Sequence, residues 1–363
     1  MKLSYFMMPL HTPAKPYAQQ LAEDEAAVIL ADELGFEEVW VGEHYSSAVE
    51  QITSPLMFLA SLIHRTKRIK LATGVVGLPH YHPAVVAGHA AMFDHLAGGR
   101  FIFGIGPGGL VSDFELLGEQ DMERDAMTKE SIQTILKLWA SDDPPDIEGR
   151  FWTSRVKEWA LPELGLGNMA KPLQQPHPPI GMSALSPYSG SMLFAGANGF
   201  LPVSANFVGL WNVKTHWEKY AEGAESAGRK ADPSVWRVAR SIYVGESEDE
   251  ATDMVTEPDG AFDYYYRYLW TIFDRTGRKM ACVPFKDDDP DTLTHQQMRD
   301  GLTMRGTVKQ VTEQVLALRE ELGPFGQLVL AAHDWQHEDR MRASMRRLAN
   351  EVMPAVNKAI GEG

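Results

Sequence analysis

The sequence predicts an α/β protein, a (β/α)8 TIM barrel with insertion loops over the C-terminal face of its strands. One observation is a junction that occurs at least four times, where a helical segment ends in glycine and an apolar or aromatic strand follows: Leu34-Gly35-Phe36, Gly98-Gly99-Arg100, Asn198-Gly199-Phe200 and Leu322-Gly323. The other is the presence of eight buried-type strand segments: 3–7, 39–44, 69–76, 101–105, 180–184, 201–204, 238–244 and 327–335. A closed barrel commonly takes this length as one domain, so residues 1–363 are assigned to a single domain.

Residues 67–109 contain a complete strand, helix and strand. Segment 69–76 is apolar and β-branched with almost no alternation, which is typical of a strand buried on both faces of a parallel sheet. The helix begins at Pro83 and has one apolar face, made of Val85, His89, Met92 and Leu96. The next strand runs into GPGG at 106–109, where something must approach the backbone closely. The glycines at 104–109 match G-x-G-x-x-G, but no helix starts there at once, so a Rossmann site is not predicted.

Composition excludes several classes of partner. The formal charge of −15, from 34 basic and 49 acidic side chains, argues against nucleic acid and against an anionic membrane. The single cysteine, Cys282, excludes a disulfide within the chain and favours a reducing compartment. No apolar run is long enough for a signal peptide or a membrane span. We therefore expect a cytoplasmic protein.

Two long excursions interrupt the regular alternation. The first, about 141–179, is rich in proline, glycine and tryptophan, and we expect an irregular loop that covers one mouth of the barrel. The second, about 245–306, combines an acidic helix, the aromatic run FDYYYRYLW and the loop KDDDPD, and is a lid candidate. The aromatic run has another interpretation, a buried helix face, because Phe262, Tyr265, Tyr266 and Leu269 have helical spacing.

Catalytic side chains of a barrel of this kind lie at the C-terminal ends of its strands. Glu43-His44 is the acid–base pair that directly follows a buried strand, and histidine titrates near neutral pH, which suits proton transfer. The alternative is a histidine hydrogen-bonded under a loop. His80 and His82 lack a carboxylate at ligand spacing, so no metal site is predicted, and His89 is interpreted as a core residue.

The segment SALSPYSGSM follows the fifth strand and favours an anion. It places Ser186, Ser189 and Gly190 just before a helix expected to begin near Ser191, where free N–H groups and the helix dipole attract negative charge. An ordinary serine-capped loop is the alternative.

Several of these motifs together resemble one family. The segments LATGVVGLPHYHP and GGRFIFGIGPGG, with WVGEHY upstream and AAHDW downstream, are similar to the bacterial luciferase-like flavin-dependent monooxygenases. The resemblance covers residues 1–356, and GIGPG and LSPYSG are similar to the limonene-monooxygenase-like branch. The motifs are fairly specific to the superfamily and do not identify a substrate.

The resemblance implies roles for particular residues. His44 would lie beside the reactive edge of the flavin, and Gly74-Val75 would form a non-proline cis peptide stacked against its ring. The loop after the fifth strand would bind the flavin phosphate, with Arg124 as charge partner. The predicted cofactor-binding set is Met8, Gly74, Val75, Gly106, Arg124, Ala184, Ser186, Ser189 and Gly190. Luciferases proper carry a reactive cysteine at the position of Gly106, which argues against light emission here.

The activity implied by the resemblance is that of a two-component monooxygenase. Reduced FMN would come from a separate reductase and react with dioxygen to oxygenate a small apolar organic substrate, and a homodimer is expected. The branch suggests terpenoid or cyclic-ketone oxygenation, but neither the substrate nor the type of oxygenation follows from the sequence. Two alternatives stay open: a deazaflavin-dependent oxidoreductase of the same superfamily, and a catalytically silent flavin-binding subunit.

Overall fold

The computed structural model describes residues 1–362. At its centre lie eight parallel strands: β1 (Lys2–Met7), β2 (Glu38–Val41), β3 (Lys70–Thr73), β4 (Phe101–Gly106), β5 (Ile180–Ala184), β6 (Leu201–Ser204), β7 (Arg237–Val244) and β8 (Gln327–Ala331). Neighbours in the chain are hydrogen-bonded neighbours in space, and β8 pairs with β1, so the sheet closes on itself. The predicted (β/α)8 barrel is confirmed.

Helices surround this barrel in the expected alternation. Among the described residues they are α1 (Tyr17–Glu33), α2 (Pro55–Leu62), α3 (Pro83–Leu96), α4 (Val111–Leu117), α5 (Arg124–Ala140), α6 (Gly190–Asn198), α7 (Leu210–Ser226), α8 (Glu248–Thr256), α9 (Ala261–Arg275), α10 (His295–Leu302), α11 (Val308–Leu322), α12 (Glu338–Arg347) and α13 (Met353–Ala359). The glycines of the four predicted junctions have positive φ, as helix-ending glycines do. No helix within residues 1–362 is both long and apolar enough to cross a membrane.

Short strands complete the sheet structure. Val76–Gly77 continues the direction of β3 after an interruption and pairs with β4. Thr303–Gly306 pairs with the C-terminal half of β7. The predicted strand 69–76 is therefore divided in two, and the peptide bond between Gly74 and Val75 at the division is cis, as the resemblance implies. Asp146–Glu148 and Thr153–Arg155 form a separate hairpin.

The predicted apolar face of α3 is not its buried face. Val85, His89, Met92 and Leu96 are all exposed. The buried face consists instead of Pro83, Val86, Ala87, Ala90, Ala91, Phe93 and Asp94. Small alanines allow α3 to pack closely against its neighbours, and the larger side chains are left on the outside. The interpretation of His89 as a core residue was wrong.

The two excursions differ in where they pack. The first lies along the outside of α3 and α5, where Glu130 accepts hydrogen bonds from the N–H groups of Phe151 and Trp152, and Lys171 donates to the carbonyl of Leu138. None of its residues lines the cavity described below. The expectation that this excursion covers one mouth of the barrel was therefore wrong. The second excursion does reach the mouth, through α9.

A buried polar cluster, the barrel floor, occupies the N-terminal end of the barrel. Glu38 at the start of β2 accepts hydrogen bonds from Arg237 Nε (3.1 Å) and Nη2 (2.7 Å). Gln327 Nε2 and Trp40 Nε1 each donate to the same carboxylate at 2.9 Å. The Glu38 carboxylate is thus paired with the opposite charge of Arg237 and accepts hydrogen bonds from all three side chains. These are the conditions under which an ion pair can be buried without a large free-energy penalty.

Candidate functional site

A cavity of about 200 Å³ opens where the strands end, at the opposite end from the barrel floor. Residues at or just beyond the ends of β1 to β6 line it, together with Ala239 inside β7 and Val329 inside β8, and most of its surface is apolar. One side is covered by a stripe of side chains at helical spacing on α9 and on the residue that ends it: Tyr265, Tyr268, Leu269, Ile272, Phe273 and Thr276. Both interpretations of the aromatic run are therefore correct in part, because α9 buries Phe262 and Tyr266 and also forms a cavity wall.

Four of the predicted site residues line this cavity: Met8, His44, Gly74 and Val75. Gly106 and Ala184 do not, but Pro107 after Gly106 and both neighbours of Ala184, Ser183 and Leu185, do. A Cβ atom at Gly106 would lie 2.8 Å from Cγ2 of Val75, so a larger residue there would displace the Val75 side chain. The glycine thus permits the close packing of β4 against this segment.

The residues predicted to bind phosphate lie outside the cavity lining. Ser189 is the N-cap residue of α6, which begins at Gly190, within one residue of the expected start. The hydroxyl of Ser189 makes no capping hydrogen bond, and Ser186 is exposed. Arg124 stacks on the ring of Phe114 at 3.7 Å and donates to the carbonyl of Glu119 at 3.0 Å. No described contact joins Arg124 to the serine loop.

His44 is held between two carboxylates. Its Nδ1 lies 3.1 Å from Oδ2 of Asp113, and its Nε2 lies 3.9 Å from Oε2 of Glu50. Only 12% of the side chain is exposed. Burial alone would lower the pKa of His44, but the Glu50 and Asp113 carboxylates outweigh burial and raise that pKa above its usual value. The two carboxylates therefore favour the protonated, charged form of His44.

Asp113 organises the segment around His44. Besides His44, it accepts hydrogen bonds from the main-chain N–H groups of Tyr45 (3.1 Å) and Ser46 (2.8 Å). Burial opposes ionisation, yet the bonds from His44 and Ser46 lower the pKa of Asp113 to about 2. Asp113 thus remains an anion that fixes the imidazole and its loop.

Glu43 is separated from the histidine that follows it. Its Oε1 accepts a hydrogen bond from the N–H of Gly77 (3.0 Å), and its Oε2 accepts one from the hydroxyl of Tyr81 (2.9 Å), which itself contacts the hydroxyl of Tyr45. Burial dominates and raises the pKa of Glu43 to about 7. The acid–base pair predicted from sequence therefore belongs to two different hydrogen-bond networks, each on the cavity wall.

Sequence reasoning missed Glu50 and Asp113. Both line the cavity, but Glu50 lies in an irregular loop and Asp113 in the first turn of a short helix. Neither stands at a fixed spacing from His44 that a pattern of strands or helices would reveal. The only available signal was that each follows a strand end within one loop.

Other histidines on or near the barrel mouth have structural partners. His80 lines the cavity, and its Nδ1 lies 2.7 Å from Oε2 of Glu119. Within residues 1–362 the one group with the geometry to hold a metal is His11, Glu23 and Asp334. The ammonium of Lys15 already lies among these groups, 2.6 Å from Glu23 and 2.8 Å from Asp334, and supplies the positive charge that a metal ion would bring.

Comparison with known proteins places this geometry in a family. The sequence profile of a family described as Luciferase-like monooxygenase matches residues 1–324. The chain is 32% identical to 4-hydroxyprotoasukamycin monooxygenase of Streptomyces nodosus subsp. asukaensis, over 98% of this chain and 92% of the relative. It is 29% identical to limonene 1,2-monooxygenase of Rhodococcus erythropolis, over 98% and 87% of the two chains.

A solved structure is similar over nearly its full length. It is the oxygenating constituent of 3,6-diketocamphane monooxygenase from Pseudomonas putida, described as a type II Baeyer-Villiger monooxygenase in complex with FMN. The TM-score is 0.87 and the sequence identity 29%, with 98% of each chain covered.

Proposed function

Since this chain belongs to the luciferase-like monooxygenase family, we propose that it is the oxygenase component of a two-component flavin-dependent monooxygenase. It would take reduced FMN from a separate reductase and use dioxygen to oxygenate a small apolar organic substrate. The observation that carries this proposal is the apolar cavity at the C-terminal mouth of the barrel, lined by residues from or just after all eight strands, with His44 in its wall. The FMN bound to the similar oxygenating constituent supports the choice of cofactor.

The residues present fit an FMN. The cavity is mostly apolar, as a flavin ring requires, and Met8, Gly74 and Val75 would contact the ring, with Gly106 and Ala184 behind them. The phosphate would bind at the N-terminus of α6, where the hydroxyls of Ser186 and Ser189 and the N–H of Gly190 are not engaged in capping bonds. Arg124 would supply the opposite charge. When bound, reduced FMN supplies the electrons that activate dioxygen.

The chain itself contributes water exclusion and a proton. The α9 stripe closes one side of the cavity with aromatic and aliphatic groups, which keeps water from the reaction. Asp113 accepts the hydrogen of Nδ1–H, so the proton that His44 exchanges would be carried at Nε2, on the side that faces Glu50. His44 would transfer that proton during oxygenation.

The test is anaerobic flavin binding followed by an assay for reductase activity. We expect detectable binding of reduced FMN, weaker binding of oxidised FMN, and no oxidation of NADH with FMN by this chain alone. NADH oxidation at the rate of oxygenation would contradict the two-component proposal. Preferential binding of a reduced deazaflavin would favour the deazaflavin-dependent alternative. Oxygen uptake that never depends on any substrate in a screen would favour the silent subunit.

We also propose a homodimer in a reducing, cytoplasmic compartment. The exposed apolar residues Met57 on α2 and Val85, Met92 and Leu96 on α3 lie on two helices that contact each other, and clustered exposed apolar side chains mark interaction surfaces. In a homodimer, each copy of the chain would bury these apolar side chains against the same surface of the other copy. Sedimentation equilibrium should show a dimer that Met92→Glu weakens, whereas a monomeric parent protein would contradict the pairing.

A further inference from the structure

Glu50 lies in a loop that leaves β2 and returns past His44. The N–H of His44 donates to the carbonyl of Ile52 (3.1 Å), and the N–H of His11 donates to the carbonyl of Val49 (2.9 Å). These two bonds hold the returning part of the loop against the barrel. Glu50 is consequently turned inward, with 7% of its side chain exposed, and forms part of the cavity wall.

The Glu50 carboxylate has few partners for a buried group. Its Oε2 lies 3.9 Å from Nε2 of His44 and accepts a long hydrogen bond, 3.4 Å, from the hydroxyl of Tyr268 on α9. No arginine or lysine within the described residues forms an ion pair with it. A buried carboxylate with a single long hydrogen bond is costly, so a role beyond packing is indicated.

We propose that Glu50 is a positioning residue for His44: its carboxylate, 3.9 Å from Nε2, attracts the imidazolium on the side opposite Asp113, and Tyr268 ties this carboxylate to α9. The proposal depends on the proposed function in one respect only, which is that His44 takes part in the chemistry. The contacts themselves involve protein atoms alone. Two carboxylates on opposite ring nitrogens favour the doubly protonated ring, so His44 would begin each turnover as a proton donor.

Titratable groups reach this pair from every element that packs on it. They are Glu43 after the end of β2, Asp113 on α4, Tyr264, Tyr265 and Tyr268 on α9, and His11 after β1. Burial raises the pKa of Glu50, whereas the positive charge of His44 and the hydrogen bond from Tyr268 act in the opposite direction. The charge of His44 and that of Glu50 therefore support each other, and the hydrogen bond from Tyr268 favours the charged state of Glu50.

The experiment is an NMR pH titration of the His44 imidazole in flavin-free protein, with the His44 signals assigned from a His44→Gln sample. Glu50→Gln keeps the shape of the side chain and removes its charge, so we expect a lower titration midpoint for His44. Tyr268→Phe should shift the midpoint in the same direction by less. Tyr17→Phe is the matched control, because Tyr17 donates to the neighbouring Gln51 carbonyl (2.9 Å) and should leave the midpoint unchanged.

The outcomes separate the parts of the proposal. An unchanged midpoint in Glu50→Gln, in protein with parental circular dichroism and melting temperature, would overturn it. An unchanged midpoint in Tyr268→Phe alone would overturn the link to α9. Because no flavin is present, these results do not depend on the oxygenase assignment, which fails separately if the parent protein binds no reduced FMN.

Discussion

The two ends of β2 carry acidic side chains in opposite situations. Glu38 at its start receives four short hydrogen bonds, two of them from Arg237, and has no exposure to either cavity or solvent. Beyond its other end, Glu43 receives two hydrogen bonds and Glu50 a single long one, and neither is paired with an arginine or lysine in the described chain. The number of donors decides whether a buried carboxylate stabilises the barrel or remains available for proton chemistry. We therefore expect the barrel floor to determine stability and the cavity to determine rate.

The largest effect should be on rate, at His44. His44→Ala should lower oxygenation by roughly 10²–10⁴-fold, the usual range for a lost acid–base group, with little change in the binding of reduced FMN. The measurement is coupled, substrate-dependent oxygen uptake, with a substrate found by screening alongside a generic FMN reductase. The exposed His64 is a suitable control, and His64→Ala should retain parental turnover. Near-parental turnover in His44→Ala would show that His44 has a structural role. It would also contradict the expectation that the cavity end of β2 determines the rate.

Substitutions in the barrel floor should lower the free energy of unfolding instead of the rate. Arg237→Met leaves the buried Glu38 without its cation, which costs about 3–5 kcal/mol in the free energy of unfolding. Urea unfolding measures this directly. Arg155→Met, which removes an exposed arginine paired with Asp146, should change stability much less. Equal losses in the two variants would show that the floor is not a special source of stability.

At the cavity end of β2, the buried Glu43 should make the free energy of unfolding depend on pH. Because the pKa of Glu43 rises from 4.5 to about 7 on folding, the folded state keeps a proton that the unfolded state releases in this window. The free energy of unfolding contributed by Glu43 therefore falls as pH rises from about 4.5 to 7, by at most about 3 kcal/mol, and is level above. Glu43→Gln should flatten this slope in urea unfolding at pH 5, 6, 7 and 8. Superimposable slopes for variant and parent would contradict it.

The smallest effect is expected at the serine loop, which belongs to neither end of β2. Ser189→Ala or Arg124→Ala should weaken FMN by about tenfold, as expected for one charge-assisted hydrogen bond, and should hardly affect riboflavin, which lacks the phosphate. Binding titrations with both flavins measure the contrast. Arg150→Ala removes another arginine, an exposed one paired with Glu123, and serves as control. Equal losses for FMN and riboflavin would assign the phosphate to a different part of the mouth.

Patterns that repeat along the chain were predictable, whereas contacts between loops were not. Eight apolar segments and their glycine junctions predicted the barrel, and strand position alone brought His44 to the cavity. The face of α3 was misread, because Val85 and Met92 are more hydrophobic than the alanines that in fact pack inward. Asp113 and Glu50 meet His44 only through loop conformations, which depend on tertiary hydrogen bonds such as that from His44 to Ile52.

The position of α9 outside the barrel has an evolutionary consequence. Its cavity-facing residues, such as Leu269 and Ile272, are part of no strand and line the cavity at the end of the barrel opposite the barrel floor. Replacing them reshapes the substrate wall while the strand hydrogen bonds and the His44–Asp113 pair stay intact. Substitutions confined to these positions of one inserted helix would therefore change the shape of the cavity and leave the barrel that carries His44 unchanged.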